Sequence, residues 1–226
     1  MRNIVLNIPH SSALNYDADE WDDMDLLRRQ VDEWTDWFTD SLFIPDETYG
    51  GRIKANVFKY SRFYVDAERL VDDEMNKIGQ GIIYTCFNGN NRKVVNQDRL
   101  MDIYHEYLNS FKPLLNSDSI LIDCHSFPSS VNKEVQICIG YNEDESRPSD
   151  EQLCLICSSF TDAGYRVGVN EPYSNSLTPV NPINYRSVMI EVNKSVYMDD
   201  TKLNLVPGYF KLRDVIIKMY SDILNC

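Results

Sequence analysis

No apolar run in this sequence approaches the roughly 20 residues that a membrane-spanning helix needs. Basic residues are also scarce. Lys and Arg number 22 against 35 Asp and Glu, giving a formal charge of −13 over 226 residues. A chain this acidic repels phosphate backbones and anionic lipid, so nucleic-acid and membrane-surface roles are not expected. A local Arg pair still leaves room for a small anionic substrate. Cysteine is too sparse, at six in the chain, to form a disulfide scaffold. Cys154 and Cys157 form one CxxC, but they sit among Leu and Ile at helical spacing, with no second pair to complete a zinc site. A reducing, cytoplasmic setting follows. The N-terminus has no long apolar stretch or small-residue cleavage site, so no secretory leader is expected. There is no Gly-rich phosphate loop and no GxSxG nucleophile elbow.

Hydrophobic residues make up 43% of the chain, enough for a sizeable core in one domain over 1–226. Strand patterns at 4–9, 134–140, 165–170 and 187–195 alternate with helical ones. Residues 119–127 form a longer apolar strand that stops abruptly at polar side chains. Residues 52–60 and 61–69 also read as extended, and 171–184 as a loop. Leu27, Val31, Trp34, Phe38 and Leu42 recur at three- and four-residue steps, predicting one helix over 25–43. Further helices are predicted at 97–115, 149–163 and 207–224, with Gly164 as a stop. This interleaving predicts an α/β fold: one three-layer domain with a mixed central β-sheet flanked by helices.

Only three His residues are present. His10 and His125 fall where strands end, at Pro9-His10-Ser11-Ser12 and Asp123-Cys124-His125-Ser126. The ends of strands are where α/β sheets bind ligands. Strand alternation puts Asp123 and His125 on one face, as in a carboxylate that orients a metal-bound imidazole. Two His and one carboxylate would complete a catalytic zinc site with an open position for water. Glu191 interrupts an otherwise apolar strand, a costly placement unless it acts as a general base near a metal. Arg62 and Arg69 flank Asp66 in an aromatic stretch, where Arg must be paired or face a ligand. His105 lies in a helical stretch and reads as a structural hydrogen-bonding group or a support to the site.

IPHSS, WTDWFTDSLF, YSRFYVDAER, IYHEYL, LIDCHSF and IEVNKSVYMDD occur in this order along the chain. On these motifs the chain resembles the N-formylglutamate amidohydrolases, zinc-dependent relatives of carboxypeptidase-type metallopeptidases. The resemblance implies a zinc carboxypeptidase-like fold and hydrolysis of a small N-acyl amino acid, N-formyl-L-glutamate by default. It implies Zn2+, or another divalent ion, on His10, His125 and Asp36 of the TDW motif. On a helical wheel Asp36 lies opposite the apolar stripe, so Glu33 is the alternative ligand. The resemblance also implies Glu191 as the catalytic carboxylate and Arg62 as a group polarising the scissile carbonyl. Arg69 is expected to grip a substrate carboxylate, with Ser126 beside it. The family's DxNR pattern reads Asp66-Ala67-Glu68-Arg69 here, so Glu68 replaces the Asn and leaves another acyl amino acid or a peptide fragment as an alternative substrate. The alternative from another class is a non-catalytic binding module on the same fold.

Overall fold

Strands buried on both faces shape the centre of the molecule, seen in a computed structural model that describes residues 2–226. In chain order the strands are β1 (Asn3–Ile8), β2 (Ile53–Val57), β3 (Cys86–Phe87), β4 (Asn90–Asn91), β5 (Ser119–Phe127), β6 (Ile137–Gly140), β7 (Val167–Val169), β8 (Arg186–Asn193), β9 (Met198–Asp199) and β10 (Asn204–Leu205). The α-helices are α1 (Met24–Trp34), α2 (Thr39–Phe43), α3 (Gln97–Asn109), α4 (Asp150–Thr161) and α5 (Gly208–Asn225). Six strands form one sheet in the order β2-β1-β5-β8-β6-β7. The first four run parallel, and β6 is antiparallel to β8. The pairs β3–β4 and β9–β10 are short antiparallel ribbons outside it.

One sheet face is apolar. Ile4, Leu6, Ile122, Cys124, Val188 and Ile190 pack there against Leu42 of α2, Phe160 of α4 and Ile216 of α5. Burying each large aliphatic side chain contributes about 1.5–3 kcal/mol. The opposite face begins apolar, with Val5 and Leu121 packing on Leu100, Tyr104 and Tyr107 of α3. Helices thus cover both faces, giving the mixed α/β three-layer arrangement. Toward the C-terminal ends of the parallel strands this second face turns polar. Asn7 of β1 lies beside Asp123 of β5, and His125 of β5 beside Glu191 of β8. Period-two geometry makes this possible: the residues between them, Cys124 and Ile190, point into the apolar layer.

Two expectations fail. Residues 25–43 are not one helix. Thr35 ends α1 with extended backbone, Phe38 takes φ 65°, and α2 starts at Thr39. The break is pinned from outside the helix, since the Asp36 N–H donates to the His10 carbonyl at 2.9 Å. Residues 61–69 are not extended either. The Tyr64 and Val65 N–H groups turn back to the Ser61 carbonyl, and Asp66 anchors the segment. Helix α3 ends at Asn109, before the predicted 115. Helix α4 matches expectation: a Ser149–Gln152 capping box opens it, and Gly164 follows it at φ 90°. No helix among the described residues is long and apolar enough to cross a membrane.

Candidate active site

His10 lies two residues past the end of β1, His125 lies near the end of β5, and Asp36 lies in the α1–α2 break. All three are buried. The break turns Asp36 inward, which a continuous helix would not do. Asp36 Oδ2 lies 3.2 Å from His125 Nδ1 and 3.9 Å from His10 Nδ1. The Ser126 N–H donates to the same oxygen at 3.2 Å. Glu33 is exposed on α1 and does not face the His pair.

Each imidazole is held from behind by a carboxylate. His10 Nε2 lies 2.8 Å from Asp66 Oδ1, and His125 Nε2 lies 3.0 Å from Asp123 Oδ1. Both rings therefore turn Nδ1 toward Asp36. His10 Nδ1 is buried without a hydrogen-bond partner. An orphaned imidazole nitrogen beside a second imidazole and a carboxylate fits a divalent ion such as zinc, and the carboxylates behind the rings fix their tautomers. The three donor atoms lie within 4.8 Å of one another.

Asp66 organises the next shell. Fully buried, it also accepts from Arg62 at 3.1 Å, from the Glu68 N–H at 3.1 Å and from the Tyr84 hydroxyl. Arg69 Nε lies 3.6 Å away. Burial pushes the Asp66 carboxyl up, but Arg62, His10 and Arg69 outweigh it and hold the group well below the usual range. Burial and the Arg62 charge push His10 down to about 4, so it is neutral at pH 7. Burial also pulls His125 down, but Asp123, Asp36 and Glu68 hold it well above its ordinary value.

These groups open onto a cavity of about 630 Å³, a size suited to a small ligand. Glu191, Arg62, Arg69 and Ser126 line it. Glu191 Oε2 is buried and has no partner. Burial pushes this carboxyl up to about 8, while His125 and Arg62 pull against the rise. Such a group can exchange a proton near neutrality. The structure thus brings together all seven residues singled out from the sequence. His105 is excluded: it is exposed on α3, away from the cavity.

The sequence profile of the N-formylglutamate amidohydrolases matches residues 2–198. The chain belongs to the N-formylglutamate amidohydrolase family. Among solved structures this family member is similar to the N-formylglutamate amidohydrolase of Ralstonia eutropha JMP134, with TM-score 0.78 and 16% identity over 100% of this chain and 94% of that one. It is also similar to gene product Atu2144 of Agrobacterium tumefaciens, with TM-score 0.59 and 15% identity over 98% and 89% of the two chains. No curated protein matches the sequence.

Three residues escaped the sequence reading of this amidohydrolase-family site. Asp66 was seen only as a charge between two Arg, not as the carboxylate behind His10. Asn7 bridges Asp123, at 2.7 Å, and Glu68, and it takes a hydrogen bond from the Tyr107 hydroxyl. Its signal was present: it is the one polar residue inside the apolar run IVLNIP. Lys194 is fully buried, with Nζ donating to the Glu33 carbonyl at the end of α1. Nothing in NKSV marks that contact.

Proposed function

We propose that the chain hydrolyses the amide bond of a small N-acyl amino acid with the aid of a divalent metal ion, zinc in the first instance. The family's own substrate, N-formyl-L-glutamate, is the first to assay. The observation that carries this reading is the pair of Nδ1 atoms flanking Asp36 at 3.2 and 3.9 Å, with Glu191 in the same cavity. His10, Asp36 and His125 would hold the ion. When bound, such an ion supplies a Lewis acid that polarises a carbonyl and eases deprotonation of water.

The chain's own residues supply the remaining steps. Glu191 takes a proton from the attacking water and later gives it to the leaving amine. Beside a bound divalent charge Glu191, whose carboxyl is otherwise pushed up by burial, would be in its basic form before attack. Arg62 steadies the negative charge that develops on the amide oxygen, a contribution of about 3–4 kcal/mol per well-placed donor. Arg69 takes the substrate carboxylate and aligns the amide. Asp66 and Asp123 keep both imidazoles turned for ligation.

Glu191→Gln keeps size and polarity but cannot accept the proton. It should retain metal and lose most turnover, about 10²-fold or more. Hydrolysis at the parent rate would refute the mechanism. A second reading, the same chemistry on a different acyl amino acid, is favoured by Glu68 on the cavity wall.

A further inference from the structure

Six carboxyl groups line the cavity: Asp36, Glu68, Asp73, Asp123, Asp144 and Glu191. Two arginines, Arg62 and Arg69, face them. Neither is free. Arg62 gives one nitrogen to Asp66 at 3.1 Å, another to the Tyr84 hydroxyl at 3.2 Å and the third to the Trp34 carbonyl at 3.5 Å. Arg69 is shared between Asp66, with Nε at 3.6 Å, and Asp73, with a terminal nitrogen at 3.6 Å.

A substrate with two carboxylates needs two cationic positions, since a desolvated anion without a counter-charge is costly. Arg62 is tied down by these three contacts and assigned to the amide oxygen, so Arg69 alone is left for carboxylates. The preceding residue, Glu68, presents another carboxyl to the cavity. Among the described residues no lysine lines the cavity.

Resting on the proposed reaction, we infer that the preferred substrates are N-acyl amino acids whose side chain carries no negative charge, with Arg69 holding the single α-carboxylate and Glu68 and Asp73 acting as the residues that disfavour a second one. Asp73 does so by engaging the outer edge of Arg69. Glu68 does so by adding a carboxyl to the cavity lining that holds Arg69. Glu68 also receives the Asn7 amide, which fixes it in place.

The test compares two near-isosteres, N-formyl-L-glutamine and N-formyl-L-glutamate, by kcat/KM on zinc-loaded protein. The parent should favour the glutamine compound by about tenfold or more, the effect of one partly screened charge pair. Asp73→Asn is the first variant. It keeps the side-chain oxygen that caps the Met75 N–H at 2.8 Å while removing the charge on Arg69. Glu68→Gln is the second. Each should move the ratio toward glutamate, through KM more than kcat. A parent that prefers glutamate, or treats both alike, overturns the inference and leaves the reaction standing. A glutamine preference that neither variant shifts overturns the assignment to Glu68 and Asp73. Turnover of neither amide overturns the proposed reaction and this inference with it.

Discussion

Asp66 is where most of the site's interactions converge. It has no exposure and meets His10, Arg62, Arg69 and Tyr84 at once. Asp66→Asn leaves two partly buried guanidinium groups without their shared anion and removes the carboxylate behind His10. Loss of one partner of a buried ion pair costs about 3–5 kcal/mol. Loss of the group orienting a ligand lowers metal affinity about 10- to 100-fold. Urea unfolding and zinc titration of this variant should show both losses, and an unchanged zinc affinity would remove Asp66 from the site. Residue-scale legibility was uneven for a physical reason. His10, His125 and Glu191 stand out because each is polar where an apolar strand runs out or is interrupted. The role of Asp66 depends on a turn that brings sequence-distant groups together, and no local pattern records that.

The elements show the same division. Strands β5 and β8 were legible because their alternate residues are buried in the apolar layer. The α1–α2 break was not. Phe38 and Leu42 fall by coincidence at helical steps from Trp34, and no Pro or Gly interrupts them. The break is imposed by tertiary partners: the His10 carbonyl on Asp36, and Lys194 on the carbonyl of Glu33. Burial pushes Lys194 down to about 8, so it can lose its proton at mildly alkaline pH. Lys194→Met leaves the Glu33 carbonyl without its side-chain donor, at a cost of about 1–3 kcal/mol. Because this contact fixes the turn carrying Asp36, the variant should also bind zinc more weakly. Ser149→Ala makes the comparison. It removes the cap of α4, which is not part of the cavity lining, and should cost about 1 kcal/mol with zinc binding intact. Equal zinc affinity in both variants would show that the break does not position Asp36.

Across the whole molecule, stability and activity pull on the same carboxyl. Unfolded, Glu191 ionises near 4.5; folded, without a metal ion beside it, it ionises near 8. Between those values the folded state keeps a proton that the unfolded state has lost. Its contribution to stability is therefore complete below the unfolded value and lost as pH rises through the folded one. Chelator-treated protein should lose stability from this group between about pH 5 and pH 8, and Glu191→Gln should flatten that fall in urea unfolding. Equal slopes in parent and variant would contradict the burial of this carboxyl. The α/β layering was legible in the order of elements, because strand and helix periods alternate along the chain. The exact sheet order was not, because β6 enters antiparallel next to β8, a pairing that periodicity does not encode.

The proposed hydrolysis requires a metal ion held by His10, Asp36 and His125. Formate release from N-formyl-L-glutamine and N-formyl-L-glutamate, followed on zinc-loaded, chelator-treated and zinc-restored protein, tests it most directly. Release should stop on chelation and return with zinc. Undiminished release after complete removal of metal, or none from either amide by fully loaded protein, would contradict it.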